Sequence, residues 1–227
     1  MYNEIITSVV KYFARLEGIC NNSLVQKVYT ESKSLNNRVG TIISFLEENI
    51  NYTRGEIDLH NRKELKRYTR DMKKYVKFYF ENIFFTFLHS DGNKKLSTYR
   101  FFKQRYYCEP YLKHVTDPFI RKDVTCLRIS AHNLKIEAGR YNNIERNKRT
   151  CSICNSGEIE DEFHFMMQCS GYKDIRNKYL EPIWMKISNI HDIWDKFIYI
   201  MQSDDIDVIG RYSCYIQEAS SKRKCQT

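Results

Sequence analysis

Four side chains that commonly bind metal ions lie within nineteen residues of one another, in the segment RTCSICNSGEIEDEFHFMMQCSGY (residues 149–172). Cys151 and Cys154 form a Cys-x-x-Cys pair, nine residues separate this pair from His164, and four more precede Cys169. Two thiolates at this spacing can bind one side of a tetrahedral ion from a tight turn, while the histidine and the last cysteine approach from a short helix. Three thiolates and one imidazole suit Zn²⁺ and leave no open coordination position, so the spacing predicts one structural zinc ion. The alternative is a chance cluster of thiols beside a surface histidine.

The residues around this cluster favour a zinc knuckle. Gly157 relaxes the loop after the Cys-x-x-Cys pair, and three acidic residues precede the helix expected to carry His164, where the helix dipole stabilises negative charge. Apolar residues of the same helix can form a base beneath the ion. The acidic residues are Glu160, Asp161 and Glu162, and the apolar residues are Phe163, Phe165 and Met166.

The remaining cysteines are scattered, and most of them are predicted to be buried thiols. They are Cys20, Cys108, Cys126, Cys214 and Cys225. The first residues, MYNEIITSVVKYFARLEG, have no basic stretch before their apolar run and no small-residue cleavage site after it, so no secretory signal is expected. Since no apolar stretch approaches the length of a membrane span, we expect an intracellular protein of the nucleus or cytoplasm that does not bind membranes.

Apolar residues recur with the period of an α-helix along nearly the whole chain, and eight glycines and three prolines are too few for a turn-rich β protein. Helices are predicted within residues 5–18, 23–28, 35–48, 61–89, 95–105, 110–115, 118–131, 172–180, 191–201 and 205–220. The fold class expected is mainly α, an irregular helical bundle with a small Cys₃His zinc knuckle inserted near the C-terminal third. Residues 137–149 are predicted to form an irregular basic loop, and the tail SSKRKCQT is expected to fray.

The helix predicted within residues 61–89 has one apolar and one basic face. The apolar face, expected in the core, carries Leu65, Tyr68, Met72, Tyr75, Val76, Tyr79, Ile83 and Phe87. The basic face carries Arg62, Lys63, Lys66, Arg67, Arg70, Lys73, Lys74 and Lys77. This basic face could follow a nucleic-acid backbone, but the sequence slightly favours the plain polar side of an amphipathic helix.

The charge balance, 37 basic against 28 acidic residues with a net charge of +9, favours a polyanionic partner such as RNA or DNA, although such an excess often serves only solubility. Cations spaced along the loop before the knuckle can each meet a phosphate, and an interleaved tyrosine can stack on an unpaired base. The candidate nucleic-acid-binding residues are Arg140, Tyr141, Arg146, Lys148 and Arg149. The alternative is a solvated loop in which Arg140 pairs with Glu137. His132 could reach RNA, but we favour a structural role in which it binds a buried carbonyl.

Two runs, YRFFKQRYYCEPYL and LRISAHNLKIEAGRYNNIERNKRTCSICNSGEIEDEFHFMMQCSGYKDIRNKYL, resemble the C-terminal region of reverse transcriptases from non-LTR (LINE-type) retrotransposons of animals. The resemblance is specific over residues 99–179 and looser over 23–98, and the tail DVIGRYSCYIQEASSKR is similar to the end of these polyproteins. It falls on Leu127, Arg128, His132, Leu134, Ile136, Glu137, Gly139, Arg140, Arg149, Cys151, Cys154, Glu160, Asp161, Glu162, His164, Phe165, Cys169, Tyr172 and Arg176.

The resemblance implies zinc in this segment and a role in handling nucleic acid during target-primed reverse transcription. It also implies two regions: residues 1–94, with thumb-like or linker helices, and residues 95–227, which contain the knuckle at 149–172. RNA, DNA and the remainder of a reverse transcriptase are the partners expected, without a small-molecule substrate.

Catalytic carboxylates of a polymerase are not recognisable in the sequence. A polymerase needs a motif such as Tyr-x-Asp-Asp on a hairpin, whereas Asp204 and Asp205 follow Gln202-Ser203 and are better explained as a cap between two helices. An endonuclease module is not visible either. We therefore expect a non-enzymatic fragment of a reverse transcriptase that binds nucleic acid. The alternatives are a protein–protein interaction module, in which the knuckle is only a structural staple, and a retroelement relic without a function.

Overall fold

The computed structural model describes residues 61–90, 92 and 95–225, together with single positions at 8, 27, 31, 41 and 48. The helices predicted between residues 5 and 48 fall outside the continuously described segments. The chain divides into two compact units, Met1–Thr86 and Phe87–Thr227. Among the described residues, none of the helices combines the length and the apolar character needed to cross a membrane.

The fold is mainly helical, which confirms the predicted class. In the described residues the α-helices are α1 Arg62–His89, α2 Tyr99–Phe102, α3 Tyr111–His114, α4 Pro118–Arg128, α5 Lys135–Tyr141, α6 Lys173–Tyr179, α7 Glu181–Lys186, α8 Ile193–Gln202 and α9 Ile206–Lys224. Two 3₁₀ turns, Arg146–Lys148 and Ser170–Tyr172, and one π-helix, His164–Gln168, lie between α5 and α6.

Helix α9 organises the core of the second unit, where it packs against α3, α4, α6 and α8. Its buried face carries Val208, Ile209, Tyr212, Tyr215, Ile216 and Ala219. Aspartates cap three of the helices that form this core: Asp117 begins α4, Asp192 begins α8 and Asp205 begins α9. Each cap carboxylate accepts backbone N–H bonds that the first helical turn leaves unpaired, a contribution of about 1 kcal/mol apiece. The prediction that Asp205 caps a helix is therefore confirmed.

Three features of the described chain differ from the sequence-based expectation. The expected loop 137–149 begins as helix, because α5 continues to Tyr141. The tail is not frayed, because α9 continues to Lys224 and buries Arg223. The apolar stripe of α1 is not uniformly core: Val76 is buried, whereas Tyr75, Ile83 and Phe87 are 52%, 47% and 60% exposed.

Candidate metal centre

A short hairpin holds the first two cysteines. Thr150 and Ile159 form an isolated antiparallel bridge, the N–H of Cys151 donates to the carbonyl of Glu158 (2.9 Å), and the N–H of Glu160 donates to the carbonyl of Arg149 (3.0 Å). The turn between the two bridged residues contains two residues with positive φ, Asn155 at 53° and Gly157 at 80°. Asparagine and glycine are the residues that adopt this conformation most readily, so the local sequence fits a tight turn after Cys-x-x-Cys.

A π-helix brings the other two candidate ligands to the same side. In an α-helix, residues five apart differ by about 140° around the axis, so His164 and Cys169 would diverge. Here the N–H of Cys169 donates to the carbonyl of His164 (2.8 Å), the i to i+5 bond of a π-helix. The wider turn brings the two side chains together. Asp161 fixes the start of this segment, because its carboxylate accepts the N–H of His164 at 2.8 Å.

The four ligand atoms, one from each side chain, all lie within 4.8 Å of one another. The two buried sulfur atoms, Sγ of Cys151 and Sγ of Cys169, are 3.8 Å apart, and Sγ of Cys154 lies 3.4 Å from Nε2 of His164. The other ring nitrogen of His164, Nδ1, is buried and has no hydrogen-bond partner in the described part of the chain. Nε2 is therefore the nitrogen directed into the cluster, and the four residues can hold a metal ion.

Backbone N–H groups surround the three sulfur atoms. Those of Ile153 and Cys154 bond Sγ of Cys151, that of Ser156 bonds Sγ of Cys154, and that of Gly171 bonds Sγ of Cys169. Such donors stabilise thiolates, which are the metal-binding form of cysteine.

The three thiols differ in acidity. Burial raises the pKa of Cys151, and it raises that of Cys169 to about 12. Burial also opposes ionisation of Cys154, but hydrogen bonds from the hydroxyl and N–H of Ser156 outweigh it and lower the pKa to about 6. Cys154 is thus the most acidic of the three thiols, and the other two would have to lose their protons for a metal ion to bind.

The fully buried carboxylate of Glu160 joins the hairpin to α5 and α9. Its Oε1 accepts a hydrogen bond from the guanidinium of Arg223 on α9, and its Oε2 accepts the N–H of Lys135 at 2.8 Å. Arg223 also donates to the carbonyl of Asn133 at 3.1 Å. Oε1 lies 3.8 Å from Sγ of Cys151, so Arg223 also counters negative charge close to the cluster.

Glu162, which is 2% exposed, is the centre of a second buried network. It accepts hydrogen bonds from Ser130 (2.7 Å), Thr98 (2.8 Å) and Nε2 of His132 (2.9 Å). Burial opposes ionisation of Glu162, but the groups that bond its carboxylate, His132 first and Ser130 after it, together hold its pKa below the ordinary value. The expected structural role of His132 is therefore confirmed, although its partner is a carboxylate rather than the carbonyl predicted.

Two glycines allow close packing around the hairpin. A Cβ at Gly139 would lie 2.6 Å from Cγ of Arg149, and a Cβ at Gly171 would lie 2.4 Å from Cγ2 of Ile153. The stem of Arg149 therefore lies directly on α5, and Ile153 lies on the turn that follows Cys169. On the other side of that turn, Arg176 donates to the carbonyl of Cys169 at 2.6 Å.

The five residues predicted to contact nucleic acid have different surroundings. Arg140 donates two hydrogen bonds to Glu137 (2.7 and 3.1 Å), which confirms the ion pair weighed from the sequence, and lies 4.5 Å from the ring centre of Tyr141. Arg149 donates to the carbonyls of Ile144 (2.8 Å) and Ile136 (2.9 Å). The remaining three are exposed: Tyr141, Arg146 and Lys148, the last pairing with Glu145 at 2.9 Å.

No protein-family model, no curated protein and no solved structure matches the chain. The resemblance to non-LTR reverse transcriptases therefore stays a prediction that rests on the motif residues. Sequence reasoning missed the anchoring role of Arg223, because its partner Glu160 lies 63 positions away. The only available signal was the excess of basic residues in the tail, which is equally typical of a solvated end.

Proposed function

We propose that this chain is a zinc-stabilised module that binds nucleic acid and corresponds to the C-terminal region of a non-LTR retrotransposon reverse transcriptase. The observation that carries the proposal is the convergence of Cys151, Cys154, His164 and Cys169. Its position beside a loop with exposed cations supports a role in binding phosphates.

The bond lengths of zinc support its assignment to this cluster. With Zn–S near 2.3 Å and Zn–N near 2.0 Å, a tetrahedral site has S···S edges of about 3.8 Å and S···N edges of about 3.5 Å. The separations between Cys151 and Cys169 (3.8 Å) and between Cys154 and His164 (3.4 Å) are close to these edges. Three thiolates select a soft or borderline ion over Mg²⁺ or Ca²⁺. When bound, the ion joins the hairpin to the π-helix, and with four protein ligands it has a structural role.

The zinc content of the purified chain tests the metal. We expect about one zinc per chain, a large loss in Cys154→Ser and no change in Cys108→Ser, which removes an exposed cysteine outside the cluster. Well under one zinc in the parent, unchanged by Cys154→Ser, would contradict the assignment.

The nucleic-acid contact is assigned to the exposed part of the loop before the knuckle. Tyr141 is 67% exposed, the side chain of Lys148 is 69% exposed, and Arg146 is also exposed. One aromatic ring and two cations can therefore reach a ligand. Arg140 and Arg149 hold the loop in place through their internal partners. This arrangement suits phosphates and an unpaired base rather than a small molecule.

Binding of the zinc-loaded chain to a labelled RNA hairpin and to a DNA duplex across a salt series tests this contact. Arg146→Gln with Lys148→Gln removes two cations, so the slope of log affinity against log salt is expected to become shallower by about 2. The same change at Lys113 and Lys122, exposed lysines elsewhere in the unit, is the control. No binding at low salt would remove the nucleic-acid proposal and leave the protein-interaction module.

A further inference from the structure

Helix α1 presents a continuous cationic surface over its first four turns. We define the α1 stripe as Lys63, Lys66, Arg67, Arg70, Lys73, Lys74 and Lys77, all of which are exposed. At about 100° per residue these seven positions fall within a sector of about 120°, so they share one face of the helix. From Lys63 to Lys77 the segment has seven cations against Glu64 and Asp71, a net charge of +5.

Within the part of the chain that the structure describes, the ion pairs made by the stripe are long and exposed. Asp71 is shared among Arg67, Arg70 and Lys74, with every N···O separation at 3.9 Å and cation side chains that are 68–78% exposed. Ion pairs of this length and exposure hold their partners only weakly, and salt screens them. The positive charge of the stripe therefore remains available to an external polyanion.

We propose that the α1 stripe binds the phosphate backbone of RNA or DNA, as a second contact surface of the module. The stripe is about 21 Å long at 1.5 Å per residue, which corresponds to about six phosphates of one strand at 3.4 Å spacing. The length and regular spacing of the cations fit a polymer of uniform negative charge. This inference rests on the proposed function, because it gives the nucleic acid a second site of contact.

The sequence alone left this face as the polar side of an amphipathic helix. Such a face usually mixes both signs of charge, which favours solubility without attracting one class of ligand. The stripe instead has a single sign over four turns, and Phe78, 62% exposed, lies at its edge, where an aromatic ring could stack on a base.

A four-residue variant, Lys66→Gln, Arg70→Gln, Lys73→Gln and Lys77→Gln, tests the stripe in the full-length, zinc-loaded protein. Glutamine has nearly the helix propensity of lysine, so α1 is expected to persist, which circular dichroism checks. The control, Lys113→Gln, Lys122→Gln, Lys173→Gln and Lys224→Gln, removes four exposed cations from the second unit and lowers the net charge equally. Both are compared with the parent on the RNA hairpin and on the DNA duplex.

We expect the salt slope of the stripe variant to become shallower by about 3 to 4, at about 0.9 per lost phosphate contact on duplex DNA. The parent should then lose about 150-fold more affinity than the variant between about 50 and 200 mM salt. The control should shift the slope by less than 1.

Several outcomes overturn the proposal, and they separate it from the proposed function. If the parent binds nucleic acid and the stripe variant matches the control, the α1 stripe does not contact the ligand, and the module is still a nucleic-acid binder. If the parent does not bind at low salt, both fail. If phosphatidylserine vesicles bind the parent and not the stripe variant while nucleic-acid slopes are unchanged, the stripe is a membrane surface instead.

Discussion

Replacing Arg223 by methionine should lower the free energy of unfolding much more than the loss of a surface ion pair does. Arg223 is 6% exposed and its partner Glu160 is 0% exposed, so the substitution leaves a buried carboxylate. Its other contacts among the described residues are the N–H of Lys135 at 2.8 Å and Sγ of Cys151 at 3.8 Å. The bond to the carbonyl of Asn133 is also lost. Removing one member of a buried ion pair costs about 3–5 kcal/mol, because the other charge stays desolvated. At about 3 °C per kcal/mol for a domain of this size, the midpoint of thermal unfolding should fall by roughly 10–15 °C.

The matched control is Lys178→Met, which removes an exposed ion pair between α6 and α9. Lys178 binds Glu218 of α9 at 2.8 Å, but the two side chains are 57% and 42% exposed, so this variant should unfold close to the urea midpoint of the parent. Urea unfolding of the zinc-loaded proteins gives both free energies. Adding Glu160→Gln to Arg223→Met should recover part of the loss, because a neutral amide is cheaper to bury than an unpaired carboxylate. If Arg223→Met costs no more than Lys178→Met, the buried pair does not anchor the hairpin.

Two further changes test the packing and the charges of the second unit. Gly171→Ala should lower zinc affinity and stability, since its Cβ would lie 2.4 Å from Cγ2 of Ile153, whereas Gly210→Ala has no atom within 4 Å and should stabilise α9 by up to about 1 kcal/mol. Zinc titration and urea unfolding check both, and equal effects would contradict the close approach. Burial opposes ionisation of Glu109, but the charge of Arg128, the charge and hydrogen bond of Lys103 and the hydrogen bond from Tyr99 together outweigh it and hold the pKa below its ordinary value. The stability that this carboxylate supplies is therefore present above pH 4.5 and lost as the pH falls, so Glu109→Gln should destabilise the protein at pH 7 and much less at pH 3. A constant difference between parent and variant at both pH values would contradict that origin.

The helices that sequence reasoning identified are the ones whose signals are local. Helix α4 has proline in its first turn after Asp117, and α8 follows Asp192, so apolar period and cap agree within a few residues. Helix α7, Glu181–Lys186, was not predicted, because six residues make fewer than two turns of an α-helix and show no clear period. The end of α9 was not predicted either, since what holds it is the long-range contact of Arg223 with Glu160.

The same distinction between local and long-range signals applies to the candidate metal centre. Ligand identity follows from spacing, and the turn after Cys154 follows from Asn155 and Gly157. The π-helix does not follow from the sequence, because the spacing His-x₄-Cys is equally compatible with a loop. The acidic residues before His164 were interpreted as favourable charges at a helix start, which describes Asp161. Glu160 and Glu162 instead enter the interior, and only tertiary partners reveal that.

The charged residues that carry the resemblance mostly have partners inside the protein. Arg128 donates to the carbonyl of Met201 and pairs with Glu109, while Arg149 and Arg176 donate to backbone carbonyls around the hairpin and the π-helix. The exposed cations of the proposed interface, Arg146, Lys148 and the α1 stripe, are outside the residues that define the resemblance. Internal partners demand a particular side chain at a particular position, whereas a phosphate can be met by lysine or arginine at many positions along an exposed surface. A motif of this kind therefore specifies how the knuckle is built into its helical support, and the proposed contacts with nucleic acid are expected among the exposed cations that the motif leaves out.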